Sequence, residues 1–257
     1  MSNIVDFKKH KNSDIPLGSV IAMIAPRGSG KSVAVKSICY SLRHVPRFIV
    51  VSMTERSSPF FSNFIAPSGI YYEWRKEILT DLFDKQDKII QKYGKENPKT
   101  HAVLILDDCL ADKKIWKEDC ITELVLNGRH KNITFIFTLQ YSIGISPALR
   151  GNIDFVFIYA LESIKEKRQI HEYYAGIFDK FNEFKHVFDQ ITENYQCMVI
   201  NRKIKINRIN AKIFWFKANM KELPDKFRAG HALFWVPIKR VAEEYKGDGK
   251  IIPRLIN

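Results

Sequence analysis

Residues 25–32 read "APRGSGKS". Two glycines, Gly28 and Gly30, followed at once by a lysine and a hydroxyl residue, have the chemistry of a phosphate cradle. The glycines let backbone N–H groups curl close around an anion, Lys31 can reach β- and γ-phosphates, and the Ser32 hydroxyl can ligate Mg²⁺. The general pattern is G-x-x-x-x-G-K-[ST], the Walker A motif. Gly30, Lys31 and Ser32 match it, and Ala25 stands where the leading glycine is usual, a slot that a small residue still fits. Apolar "VIAMIA" precedes the turn and "SVAVKSICYSL" follows it, which supplies the strand–loop–helix context the motif requires. The helix start also turns its positive dipole end to the anion. Ala25, Pro26, Arg27, Gly28, Ser29, Gly30, Lys31, Ser32 and Val33 are therefore expected to form a nucleotide-binding segment, with ATP and Mg²⁺ as ligands.

A second chemical pair lies in "VLILDDC", an apolar run ending in Asp107 and Asp108. Carboxylates leaving a strand at the carboxyl edge of a sheet sit where ligands bind in α/β folds. Asp107 is expected to hold Mg²⁺ through water, as in a Walker B strand. Asp108 is expected to act as the general base on the attacking water. Either residue alone could instead cap the next helix. Further on, "NGRHKNITFIFTLQ" ends an apolar run on Gln140, where an amide could sense a γ-phosphate. Arg129 and Arg150 flank that run on turns. Taken singly, Gln140 reads better as a strand terminator and each arginine as a solvated charge; their order after the acidic strand is what favours the functional reading.

These groups can meet only if the chain alternates strands and helices, and its patterning says that it does. "SVIAMIA" (19–25), "RFIVVS" (47–52), "HAVLILD" (101–107), "NITFIFTL" (132–139) and "DFVFIYAL" (154–161) are nearly continuous apolar runs, the mark of strands buried on both faces of a parallel sheet. Between them, "KSVAVKSICYSLRH", "EWRKEILTDLFDKQDKIIQKYG" and "KEDCITELVLNG" carry apolar residues at helical spacing, with Gly94 and Gly128 placed as helix stops. This predicts a wound α/β sheet. Beyond residue 161 the pattern predicts helices over about 163–181 and 183–191, then "QCMVINR" and "AKIFWFKA" as paired strands around the basic turn "KIKINR". The expected organisation is an N-terminal tail (1–14), one ATPase domain (15–222) and a C-terminal extension (223–257) with one apolar anchor, "HALFWVPIKR".

The ensemble of "APRGSGKS", "VLILDD", "NGRHKNITFIFTLQ", "ALRGNIDFVF", "CMVIN" and "KIFWFKA", spanning about residues 18–218, resembles the FtsK/HerA class of P-loop motor ATPases. More narrowly, it is similar to the poxvirus-type genome-packaging ATPases of large double-stranded DNA viruses. The resemblance implies a RecA-like domain with a mostly parallel sheet in the order 5-1-4-3-2, the Gln140 strand beside the P-loop strand, and Gln140 facing the γ-phosphate. It implies ATP-driven translocation of double-stranded DNA into a capsid by a homo-oligomeric ring, pentamer or hexamer. In such a ring an arginine reaches the neighbour's nucleotide, and Arg129 best matches that position, with Arg150 second. Ala25 in the loop, and Asp108 where many relatives carry Glu, depart from the family pattern. Two other readings share the loop. A nucleoside or nucleotide kinase should show an arginine-rich lid and no Asp-Asp pair, and a non-packaging DNA pump of the same class usually carries additional domains.

Composition agrees with a polyanionic partner. The 257 residues carry 41 Lys+Arg against 28 Asp+Glu, a formal charge of +13. "NRKIKINRINAK" (201–212) alternates cations with isoleucine, which suits either a solvated hairpin or a DNA-facing element through Lys203, Lys205 and Arg208. The four cysteines form no C-x-x-C pair and the seven histidines no H-E-x-x-H, so a zinc framework is not indicated and the thiols read as reduced and packed. No stretch approaches the roughly 18 apolar residues of a membrane span, and "MSNIVDFKKHKNSDIP" lacks a signal-peptide core. A soluble, intracellular protein is expected; the resemblance to viral packaging ATPases further implies the host cytoplasm and the virion, with capsid or inner-membrane proteins as partners.

Overall fold

The computed structural model describes residues 7–109, 114–140 and 145–236. Its centre is an eight-stranded sheet. In chain order the strands are β1 (Val20–Ile24), β2 (Arg47–Ser52), β3 (Ile70–Tyr71), β4 (Ala102–Asp107), β5 (Ile133–Leu139), β6 (Phe155–Tyr159), β7 (Cys197–Asn201) and β8 (Ile213–Phe216). They lie side by side as β3-β2-β4-β5-β1-β6-β7-β8. β3 to β6 pair parallel throughout, and β7 and β8 close one side antiparallel. The helices are α1 (Lys31–Ser41), α2 (Lys76–Tyr93), α3 (Asp119–Asn127), α4 (Pro147–Gly151), α5 (Ile164–Tyr173), α6 (Phe181–Ile191) and α7 (Ile209–Lys212).

The five apolar runs became strands because both of their faces are covered. Along β1, Val20, Ala22 and Ile24 pack into one core with Leu79 and Leu82 of α2, Leu124 of α3 and Phe188 of α6. Ile21 and Met23, pointing the other way, pack with Val35 and Ile38 of α1. Each such side chain larger than alanine contributes on the order of 1.5–3 kcal/mol by leaving water. The strands expected to form the order 5-1-4-3-2 are β6-β1-β5-β4-β2, and they lie in that order. To them the structure adds β3 at one edge, two residues too short to announce themselves by periodicity, and the β7–β8 pair at the other.

One expectation holds in another form and two are corrected. α3 does end at Asn127 with Gly128 next, but not through a left-handed cap: Gly128 keeps right-handed dihedrals (φ −54°) and the chain runs on as a 3₁₀ turn over Gly128–Lys131, ended by Asn132 at φ 54°. A Cβ on Gly128 would lie 3.2 Å from Leu124 Cδ1, so close packing explains this glycine better than a cap. The helix expected over 163–181 ends at Tyr173, because the chain then turns inward to bury Tyr174, Ala175 and Phe178, and the Phe178 carbonyl meets the His171 ring at 2.8 Å. The described part of the expected tail is docked: Trp215 N–H donates to the Lys8 carbonyl at 3.1 Å and His10 N–H to the Trp215 carbonyl at 2.8 Å. At the other end, Ala229 N–H donates to Phe64 O and His231 N–H to Pro46 O, so the chain through Trp235 lies on the domain. Of the expected anchor, residues 237–240 fall outside the described residues.

Candidate nucleotide site

The register puts the ends of β1, β4, β5 and β6 on one edge of the sheet: Ile24 is level with Leu139 and Ile158, and Asp107 with Ser52. The glycine loop leaves β1 at that edge and enters α1 at Lys31. Gly28 (φ 75°) and Gly30 (φ 94°) adopt left-handed dihedrals that a side chain would strain, and a Cβ on Gly28 would meet nothing within 4 Å. The loop is thus free to take an anion on that side. Ser29 Oγ–H closes it by donating to the Pro26 carbonyl at 2.8 Å. Ser32 lies exposed on the first turn of α1.

Lys31 is buried and its Nζ donates to Asp108 Oδ1 at 2.5 Å. Gln140 Nε2–H donates to the other oxygen of the same carboxylate at 3.3 Å. Asp107 is held differently. Thr138 Oγ1–H donates to its Oδ1 at 2.8 Å and Ser52 Oγ–H to its Oδ2 at 3.2 Å. Burial raises the Asp107 pKa, and the Thr138 hydrogen bond and the Lys31 charge oppose that rise. Thr138 also accepts the Asp108 N–H at 2.9 Å, so one hydroxyl sets both carboxylates. Asp108 itself sits at φ 52°, a left-handed position that turns its side chain to the loop. A cleft of about 690 Å³ opens beside Pro26, Ser29 and Gln140, lined also by Glu162 and Glu166.

Lys31, Asp107, Asp108 and Gln140 are therefore brought together, and the arginines are not among them. Arg129 precedes β5 and stands against Gly18, ahead of β1, on the opposite edge of the sheet. A five-residue strand at about 3.3 Å per residue separates the two edges by roughly 16 Å. Arg150 lies in α4, ahead of β6. It donates to the Ile145 carbonyl at 3.0 Å and covers the Tyr173 ring at 3.9 Å. Arg129 instead shares a cleft of about 310 Å³ with Arg202, Lys203 and Lys205. Asp154 is the carboxylate there, accepting the Val20 N–H at 2.8 Å and lying 3.6 Å from Lys203. Arg202 donates to the Arg150 carbonyl. Arg208 stands apart from that cleft, exposed at the start of α7.

Thr138, Ser52 and Arg202 went unremarked in the sequence. Thr138 had a readable signal, since "FTLQ" puts it two residues before Gln140 and so on the same face of β5. Ser52 had none until β2 was paired with β4. Among the described residues no group of three or more His, Cys, Asp or Glu is placed to hold a metal, and no helix is long and apolar enough to cross a membrane.

Fold and site together define a class: a RecA-like P-loop domain with an acidic pair and a polar amide ranged against its loop lysine. Residues 5–170 match the family described as Poxvirus A32 protein, and the chain belongs to that family. Protein L437 of Acanthamoeba polyphaga mimivirus is 35% identical over 84% of this chain and 80% of its own length. Protein 075L of Invertebrate iridescent virus 6 is 37% identical over 74% of this chain and 73% of its own. Among solved structures, the genome packaging NTPase B204 from Sulfolobus turreted icosahedral virus 2, in complex with AMPPCP, superposes with a TM-score of 0.55 at 17% identity, covering 79% of this chain and 99% of that one. The pCW3 conjugation coupling protein TcpA gives 0.57 at 13% identity over 79% and 61%.

Proposed function

We propose that the chain is an ATP-hydrolysing motor that translocates double-stranded DNA and packages a viral genome into its capsid as a homo-oligomeric ring. The observation that carries this is the convergence of Lys31, Asp108 and Gln140 at 2.5 and 3.3 Å beside an open glycine loop. Membership of the Poxvirus A32 protein family and the likeness to a viral packaging NTPase support the task assigned to it. Lys31 would exchange its carboxylate partner for β- and γ-phosphate oxygens, which frees Asp108 to take a proton from the attacking water. Gln140, bonded to the same carboxylate, would hold that water in line. Ser32 and Asp107 fit Mg²⁺, which needs few protein oxygens when phosphates and water complete its shell. The ion would neutralise charge on the phosphates. Asp107, held by two hydroxyls, stays fixed as an acceptor.

The second edge fits the ring. Because Arg129 cannot reach its own loop, it serves a neighbour's nucleotide, with Arg150 second in rank. Lys203 and Lys205 in the same cleft, and Arg208 outside it, are assigned to DNA phosphates. The motor is placed in the host cytoplasm and the virion, with capsid or inner-membrane proteins as docking partners. Duplex binding measured against salt tests the DNA assignment: affinity should fall with a log–log slope of about −0.9 per phosphate neutralised and depend little on sequence. Affinity that is flat across salt would remove it.

A further inference from the structure

The acidic pair and Gln140 lie at the ends of β4 and β5, on one side of β1. A triphosphate whose terminal phosphate is held there must extend its other end along the same sheet edge, away from β4. On that other side, past β6, the edge holds a cleft of about 280 Å³ lined by Gly30, Val33, Tyr159, Tyr195, Ala218 and Met220. The antiparallel register brings these together, since Tyr159 is level with Cys197 and Cys197 with Phe216.

Tyr195 is the unusual member. It occupies the turn Glu193–Gln196, closed by Gln196 N–H donating to the Glu193 carbonyl at 2.9 Å. Both central residues are left-handed, Asn194 at φ 53° and Tyr195 at φ 62°. That is type I′ geometry, in which asparagine then glycine are the unstrained choices. Asn194 conforms and Tyr195 does not, because its Cβ crowds the backbone there. Core burial does not offset the strain, since the tyrosine is 69% exposed. Its ring instead stands over the phosphate loop: a Cβ on Gly30 would lie 3.9 Å from Tyr195 Cδ1 and 3.9 Å from Tyr159 Cε1. Met220 is 56% exposed and shares the cleft. A strained, exposed aromatic beside a ligand loop is where strain points to function.

We propose that this cleft is the base subsite of the nucleotide, with Tyr195 as its stacking face and Met220 as a polarizable wall, and that it prefers a purine for its larger ring. The proposal rests on the P-loop binding a nucleoside triphosphate. Calorimetry on the full chain with ATP, UTP and inorganic tripolyphosphate tests it, comparing wild type with Tyr195→Phe, Tyr195→Gly and Lys31→Ala. Tyr195→Phe should bind ATP as wild type does. Tyr195→Gly should weaken ATP by about tenfold, within the range for losing one base–aromatic stack. It should also narrow the ATP-over-UTP preference and leave tripolyphosphate affinity unchanged, and its melting temperature should hold or rise because glycine suits the turn. Lys31→Ala should lose all three ligands. Unchanged ATP affinity in Tyr195→Gly, or an equal loss of tripolyphosphate, overturns the subsite while the P-loop reading stands. If wild type binds neither ATP nor tripolyphosphate, the nucleotide reading fails and the subsite with it.

Discussion

Asp107 and Asp108 are neighbours in the chain with different surroundings, and their proposed division of labour follows from that. Both are half-buried, but Asp107 is bonded by two hydroxyls, whereas Asp108 is shared between a lysine and an amide that a phosphate and a water can replace. Asp108→Asn should therefore retain Mg-ATP in calorimetry and lose turnover by roughly 10²-fold or more, the usual contribution of a general base. Equal loss of binding would refute the assignment. Thr138 links the two carboxylates. Thr138→Val keeps the shape of the side chain but leaves Asp107 Oδ1 and the Asp108 N–H without their partner. It should destabilise the fold by about 1–3 kcal/mol in denaturant melts and also lower turnover.

At the scale of elements, the docked N-terminal segment carries its own test. His10 is 3% exposed, ringed by Phe155, Phe157, Phe214 and Phe216, with Nε2 unpartnered. Burial lowers its pKa to about 4. A histidine depressed on folding binds its proton more tightly in the unfolded chain, so its stabilisation is present above the unfolded pKa and is lost as pH falls from about 6.5 to about 4. The loss should be on the order of 3 kcal/mol. His10→Leu should flatten the urea-melt pH profile across that window, and an unaltered profile would contradict the account. The five central strands were legible because burial on both faces leaves long apolar runs. The docking of residues 7–14 was not, because "FKKHKNSD" looks solvated until β8 offers it a backbone edge. The P-loop lysine and the acidic pair were legible as local spacing. Tyr195 and Arg202 were not, since each matters only through a neighbour far along the chain: Gly30 for one, Arg129 for the other.

At the scale of the molecule, the two edges of the sheet carry opposite needs. One has carboxylates that, in the proposed site, would meet phosphate through Lys31 and Mg²⁺. The other has Arg129, Arg202, Lys203 and Lys205 against one carboxylate, roughly 16 Å away along the strands. In the proposed ring, one edge would face the next and each site would be completed by its neighbour's arginine. Such a finger contributes about 10³-fold or more to phosphoryl transfer. Arg129→Ala and Lys31→Ala subunits, each inactive alone, should then recover partial ATPase activity when mixed, because some interfaces pair an intact loop with an intact arginine. No recovery despite demonstrated co-assembly would move the finger to Arg150 or to an arginine acting in cis. The central claim, a motor coupled to duplex DNA, is tested most directly by the steady-state ATPase rate with and without linear duplex at low salt. The account predicts that DNA raises the rate and that the double charge reversal Lys203→Glu, Lys205→Glu lowers that stimulation. A rate indifferent to duplex, together with phosphate transfer to an added nucleoside or nucleotide, would contradict it.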